Sequence, residues 1–304
     1  MAERATRRVR RERRTAWLMV LPAVGAIVLV AIFPLAWTAW ESLHLHDLRM
    51  PWRGRPFVGL ENYARLLADG RFWGAAWHTG LFVVVTVAVE LFVGLALALG
   101  LDRIRRGRGL ARVVVLLPWA VPTAVAALIW RFMFEGETGV ANGLLTAAGV
   151  LDEPIIWFVG SVTAWVPVML GDIWKMTPFV TLLLLAGLQN IPDTLYEAAR
   201  MDGAGAWQRF REVTLPLLRP ALLVALLFRT LDAVRVFDLV YVLTGGGPGT
   251  ATEPLSVYAF QALLQDLRFG YGSAVSMSVF VLAFVLALVY IRVLGRTGVR
   301  GAAT

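Results

Sequence analysis

"HTGLFVVVTVAVELFVGLALALGL", residues 78–101, holds a single acidic residue, Glu90, in an otherwise uncharged and largely apolar run. A helix needs about 20 mostly apolar residues to cross the hydrocarbon core. Inside that core every backbone N–H and C=O must be satisfied by the segment itself, which a helix does. The stretch therefore reads as a membrane-spanning helix. Outward from it, comparable runs lie at 17–40, 111–134, 162–187, 217–242 and 271–293, making six spans and an all-α membrane protein. Composition agrees, because 58% of the 304 residues are hydrophobic and only 16% are charged, against about 25% charged in soluble domains. The first span follows an arginine-rich start, as a signal peptide would. Its apolar run is too long for a signal core and no A-x-A-like site follows, so it is read as a retained helix.

The net charge is +8, and all 29 basic residues but Lys175 are arginine. Arginines divide unevenly between the two sets of connections. Seven lie before the first span, five in 103–112, four in 200–219 and three at the C-terminus, against six in the alternate loops. By the positive-inside rule both termini are cytoplasmic, and the charge is explained without nucleic acid. The organisation expected is a basic cytoplasmic N-terminus over 1–16, a transmembrane domain over 17–293 and a cytoplasmic tail over 294–304. The first outer connection, near 41–77, is the longest and is expected to hold a short surface helix starting near Glu61. Turn-forming residues fill "FEGETGVANG" (134–143) and "LTGGGPGT" (243–250).

Several chemistries are excluded. The chain has no cysteine, so it has neither disulfides nor thiolate metal sites. His44, His46 and His78 lack helical ligand spacing, and no metal site is expected. No G-x-x-x-x-G-K-[ST] is present, so the chain does not bind ATP by a P-loop. No nucleophile–base constellation is visible, and the chain is not read as an enzyme.

Charges within spans are costly, about 2.5–3.5 kcal/mol each on insertion scales, so each raises a functional question. In the fourth span Asp172 and Lys175 stand three residues apart, flanked by Gly171, Pro167 and Pro178. The prolines weaken the helical ladder, as in transporter helices broken beside a cavity. The fifth span carries Arg229, Asp232, Arg235 and Asp238, alternating in sign at steps of three, so successive members can pair. The stripe turns by about 60° per step, so no one lipid-facing surface avoids all four. Either a structural ion ladder or a polar translocation path fits. Glu90 has no visible partner in the sequence, and burial against another subunit is expected. Trp165, Trp174, Phe237 and Tyr241 offer rings that can stack on a sugar, although most tryptophans in such a chain serve the interface belt.

The cytoplasmic loop 190–216 contains "YEAARMDGAGAWQRFREVTLP" (196–216). Pro192 and Asp193 suit a helix start, with Asp193 able to cap the first turn. Leu195, Ala198 and Ala199 give a smooth apolar side, and Gly203 suits the left-handed position that ends the helix. A second short helix runs from Ala206 to about Glu212. The loop fits an amphipathic hairpin lying on lipid, or a helix presented to a partner's groove.

Glu197-Ala198-Ala199, Asp202-Gly203 and the later Val213-x-Leu215-Pro216 resemble the EAA loop of bacterial ABC importer permeases. Val213 stands where that family usually has isoleucine. Further stretches resemble the carbohydrate-importing branch, similar to maltose-, glycerol-phosphate- and trehalose-type permeases: "FVGLENYARLL" (57–67), "DIWKMTPFVTLLLLAGLQNIP" (172–192) and "FDLVYVLTGGGPG" (237–249). The resemblance implies a six-span type I importer permease in the bacterial plasma (inner) membrane, carrying a sugar. Glu197, Ala198, Ala199, Asp202, Gly203, Leu215 and Pro216 would then form a coupling loop that docks on an ATP-hydrolysing subunit. It further implies a second homologous permease, two cytoplasmic ATP-binding subunits that hold ATP and magnesium, and an extracytoplasmic sugar-binding protein. No cofactor is expected in this chain. The residues expected along the substrate path are Asp172, Trp174, Lys175, Asp232, Arg235, Asp238 and Tyr241. The maltose-type protein has extra spans and a large external insert that this chain lacks, so receptor contacts made there do not transfer. Rival readings are an ion-coupled secondary transporter using the buried carboxylates, an importer of a non-sugar solute such as glycerol phosphate, and a membrane scaffold that recruits a cytoplasmic protein.

Overall fold

The computed structural model of the chain describes residues 16–104 and 106–301, with side chains described through 293. The expected N-terminal segment (all but Ala16), Arg105 and the side chains of the expected tail lie outside the described residues. Among the described residues the regular secondary structure is helical, apart from one isolated bridge between His44 and Phe57. Five helices are long and apolar enough to cross a membrane, and one bent pair makes up to six.

Two compact units form, residues up to 68 with 261–277, and residues 69–260 with those from 278 onward. In the first, α1 (Ala16–Glu41) exposes its apolar side chains along its length, Trp17, Leu29 and Val30 among them. A helix apolar on all sides belongs in lipid or against another apolar chain. The connection after it is folded onto α2 (Glu61–Ala68), which begins where the sequence placed it. Asn62 Nδ2 donates to the carbonyls of Ser42 and His44 at 2.8 and 2.9 Å, and the Ser42 and Tyr63 hydroxyls pair at 2.7 Å. Buried Glu41 bonds His46, whose ring stacks on Phe269.

In the second unit, α3 (Gly70–Arg103) starts earlier than the expected span because Asp69 caps it, its carboxylate accepting from the Arg71 amide at 2.9 Å. The third span is not straight. α4 (Arg108–Ala120) and α5 (Thr123–Met133) meet at 87°, because Pro122 supplies no N–H and disfavours helical geometry at Val121. The short α6 (Val140–Ala147) follows, and Asn142 within it ties the next loop to it, accepting from Trp157 Nε1 at 2.9 Å. The central helix is α7 (Trp165–Gln189), more than half buried. It passes Pro178 unbroken, contrary to the weakened ladder expected there. The fifth span differs in the other direction. α9 (Ala206–Ala233) absorbs the second short loop helix through a π-helical turn at Phe210–Thr214 and stops at Ala233, nine residues before the expected end. Residues 234–237 are not helical, and α10 (Asp238–Leu243) resumes after them. The remaining α-helices are α8 (Asp193–Met201), α11 (Leu255–Phe260) and α12 (Phe269–Gly301).

Two glycines set how closely α7 approaches its neighbours. A Cβ on Gly94 of α3 would lie 2.7 Å from Val180 Cγ1, and one on Gly187 of α7 would lie 2.6 Å from the Ala221 Cβ of α9. Small residues at such crossings let membrane helices gain dispersion contact where no hydrophobic drive separates lipid from protein. Around these crossings pack Ala98, Val180, Leu184, Leu188, Leu218 and Ala225.

Gly94→Val should force α3 and α7 apart and destabilise the protein by roughly 1–3 kcal/mol, as overpacking does. Gly80→Ala, with open space at its Cβ, should be tolerated. Thermal unfolding of the two purified variants in detergent checks the contrast, and equal melting temperatures would refute it.

Candidate functional site

The charges expected along the spans converge on one guanidinium. Arg229 of α9 is buried and faces three carboxylates. Its Nε donates to Glu90 of α3, one Nη to Glu90 Oε1 and Asp172 Oδ2 at 2.8 Å each, and the other to Asp232 Oδ2 at 2.7 Å. Glu90 thus has its partner within the chain rather than in another subunit. Four of the five guanidinium N–H groups are used, the forked geometry for which arginine suits carboxylates. The pairing joins the middle of α3 to the first half of α7 and the C-terminal end of α9.

Lys175 does not pair with Asp172. Its ammonium instead donates to the Val121 carbonyl and, at 3.4 Å, to that of Trp119. The bend between α4 and α5 frees those carbonyls, as any helix end does, and a cation near the negative end of α4 is favourable. The expected ladder on the fifth span is also shorter than its spacing suggested. Arg229 pairs with Asp232, and Arg235 stands 3.8 Å from Asp232. Asp238 makes no ion pair among the described residues, because the helix ends at Ala233 and the chain turns before reaching it.

These residues surround a cavity of about 130 Å³. Asp172, Lys175, Asp232, Arg235 and Asp238 all line it, with Phe237 supplying a ring. Two expected residues stand apart. Trp174 is partly exposed against Trp130, and Tyr241 stacks on Phe237 and meets Phe260 edge-on, neither ring lining the cavity. Trp165 is buried, with Nε1 donating to the Ala251 carbonyl at 2.9 Å. It is a core residue.

The loop 190–216 places its motif at the surface. α8 starts after Pro192, and Asp193 makes no capping bond, so its contribution is a carboxylate in the first turn. The helix ends in a Schellman arrangement: Ala204 N–H donates to Ala199 O at 2.9 Å and Gly203 N–H to Arg200 O at 3.0 Å. Gly203 sits at φ +80°, where a side chain is disfavoured. Glu197, Ala198 and Asp202 are exposed, Ala199, Leu215 and Pro216 partly so. Leu195, Met201 and Trp207 also present apolar surface outward. The Tyr196 hydroxyl, 3.1 Å from Thr214 Oγ1, fastens α8 to α9.

Comparison with known proteins matches residues 90–297 to the family described as binding-protein-dependent transport system inner membrane component. The chain is 46% identical over 284 residues to the trehalose/maltose transport system permease protein of Thermococcus litoralis, covering 93% of this chain and 94% of that protein. It is 41% identical to the sulfoquinovosyl glycerol transport system permease protein of Agrobacterium fabrum, covering 93% and 91%. Against the trehalose transport system permease protein of Mycobacterium tuberculosis it is 39% identical, covering 93% and 90%. Among solved structures, a chain of a bacterial ABC transporter that imports the acidic polysaccharide alginate superposes with a TM-score of 0.81 at 22% identity, covering 96% of this chain and 99% of that one.

Arg229→Gln should be the most damaging single change in the cluster, costing roughly 3–5 kcal/mol because it leaves Glu90 and Asp172 buried without a counter-charge. Asp238→Asn should leave stability unchanged. Because Arg235 and Asp238 are not paired, their separate effects on stability should add in the double variant. Melting temperatures of the four proteins test this, and mutual rescue of Arg235→Gln and Asp238→Asn would refute it.

Proposed function

The chain belongs to the family of binding-protein-dependent transport system inner membrane components, and from that premise we propose that it conducts sugar as one permease subunit of an ATP-driven importer. A second, homologous permease completes the path. Two cytoplasmic ATP-binding subunits hold ATP and magnesium, and an extracytoplasmic protein delivers the sugar. The chain is a transport subunit and not an enzyme. It lies in the plasma (inner) membrane with both termini in the cytoplasm, the orientation supported by its arginine distribution. The substrate is a sugar, a disaccharide such as trehalose or maltose.

The observation that carries this reading is the 46% identity to a trehalose/maltose permease across 93% of the chain. The site is consistent with it. A cavity of about 130 Å³ is small beside ligand pockets of roughly 300–1,000 Å³, as suits half of a path completed by a partner. Asp172, Asp232 and Asp238 offer acceptors to sugar hydroxyls, while the Lys175 ammonium is engaged by backbone carbonyls. That balance speaks against a phosphate-bearing solute such as glycerol phosphate. Glu90 and Asp172 are bound to Arg229, which speaks against their use as freely exchanging ion sites.

Coupling runs through α8. Its exposed apolar side fits the groove of an ATPase subunit, and the rigid Gly203 turn with the Tyr196–Thr214 bond passes its displacement to α9, whose far end holds Arg229 and Asp232. ATP-driven closure of the ATPases shifts the population from inward- to outward-open.

Gly203→Val should insert in the membrane yet lose the ATPase subunits on purification, since β-branched residues avoid φ > 0. Full complex recovery with normal uptake would refute the docking role. In proteoliposomes of the assembled importer, Asp232→Asn should raise the uptake KM severalfold at normal complex yield. Sugar uptake should also persist under ATP when ion gradients are collapsed, and its loss would favour the ion-coupled alternative.

A further inference from the structure

A second cleft lies where the spans end, away from the sugar cavity. About 610 Å³ in volume, it is bounded by the end of α3, the start of α4, the end of α7 and one side of α8. Its charged lining is Asp102, Arg103, Arg108, Arg112, Asp193 and Arg200. Among the described residues, none of the four arginines makes an ion pair. Arg108 donates to the backbone carbonyls of Ile104 and Asp102 instead, which leaves its charge uncompensated. Counting the two carboxylates, the cleft keeps an excess of two positive charges. The first turn of α4 adds to it: the helix begins after Gly107 with no side-chain cap, so its leading amides lack a side-chain acceptor.

We infer that this cleft binds the phosphate group of a membrane phospholipid, gripped by Arg103, Arg112 and Arg200, with the charge of Arg108 beside them. Three observations select that chemistry. Guanidinium groups and a free helix N-terminus together suit a phosphate. The cleft sits at the ends of three spans, the depth at which headgroup phosphates lie. α4 is also two-sided: Leu110, Val113, Val114 and Leu117 are exposed, and at 3.6 residues per turn they fall opposite Arg108 and Arg112. One side of this helix therefore meets acyl chains while the other holds arginines, so a headgroup reaches the cleft around its first turn. On α8, Asp193, Tyr196 and Arg200 face the cleft, while Leu195 and Ala198 lie on the far side. A bound phosphate thus bridges the coupling helix to α3 and α4 without occupying its outward side.

The test uses the intact importer complex extracted from vesicles of phosphatidylcholine with phosphatidylglycerol, read by native mass spectrometry for retained phosphatidylglycerol. The triple variant Arg103→Gln/Arg112→Gln/Arg200→Gln should lose retention by roughly a hundredfold in affinity, three headgroup contacts together. The corresponding lysine variant should keep part of it, and both should melt as the wild type does. If wild type retains no lipid but binds inorganic phosphate at these arginines, the phosphate site stands and its source is soluble. Equal lipid retention by wild type and the glutamine variant overturns the inference. So does loss of the ATPase subunits with lipid retention unchanged, which would assign the arginines to a protein partner.

Discussion

A guanidinium enclosed among membrane helices has no water to solvate it, and this constraint organises the protein. Removing a charge from water costs several kcal/mol even after relaxation, so Arg229 is tolerable only where carboxylates meet it from every side. Glu90, Asp172 and Asp232 do so from α3, α7 and α9. The cluster fixes the mutual rotation of three spans, because a change in any of them would leave a buried charge unpaired. The close approaches at Gly94 and Gly187 then bring the backbones near enough for these side chains to reach.

Two interruptions of helical structure turn this scaffold into a site. The bend at Val121–Pro122 exposes carbonyls that engage the only lysine, and the non-helical segment after Ala233 turns Arg235, Phe237 and Asp238 toward the same small cavity. In transporters, irregular backbone at membrane depth is tolerated where it lines a protected cavity. The same logic explains why Pro178 leaves α7 intact. That helix is surrounded by neighbours and lacks one backbone donor at Pro178, whereas Pro122 falls at a junction with a sharp change of direction.

The loop 190–216 is held on a different physical basis. α8 has little buried surface of its own, so its conformation rests on local devices, a start after Pro192, a Schellman end at Gly203 and one hydroxyl pair to α9. A surface fixed locally keeps its apolar side chains available to a partner. In the proposed mechanism the Tyr196–Thr214 fastening would carry the motion of α8 into the start of α9, the helix that holds Arg229 and Asp232 near its other end.

The all-α membrane class, the short helix at Glu61, the exposed helix ended by Gly203 and the permease-family resemblance were legible in the sequence, while its six spans compare with five straight candidate spans and one bent pair in the structure. These rest on local properties, apolar length, turn chemistry and a short spaced motif, that do not depend on which helices become neighbours. It also picked out Asp172, Lys175, Asp232, Arg235 and Asp238, because any charge in a span is conspicuous. Their partners were not legible. Glu90 and Arg229 lie 139 residues apart, and spacing within one helix favoured pairs, Asp172 with Lys175 and Arg235 with Asp238, that the fold does not form. Nor did periodicity show that α9 would stop at Ala233 or that Trp165 and Tyr241 would turn away from the cavity. Only the packing of α3, α7 and α9 decided these points, because a buried charge is satisfied by whatever the tertiary structure brings within hydrogen-bonding reach, regardless of distance along the chain.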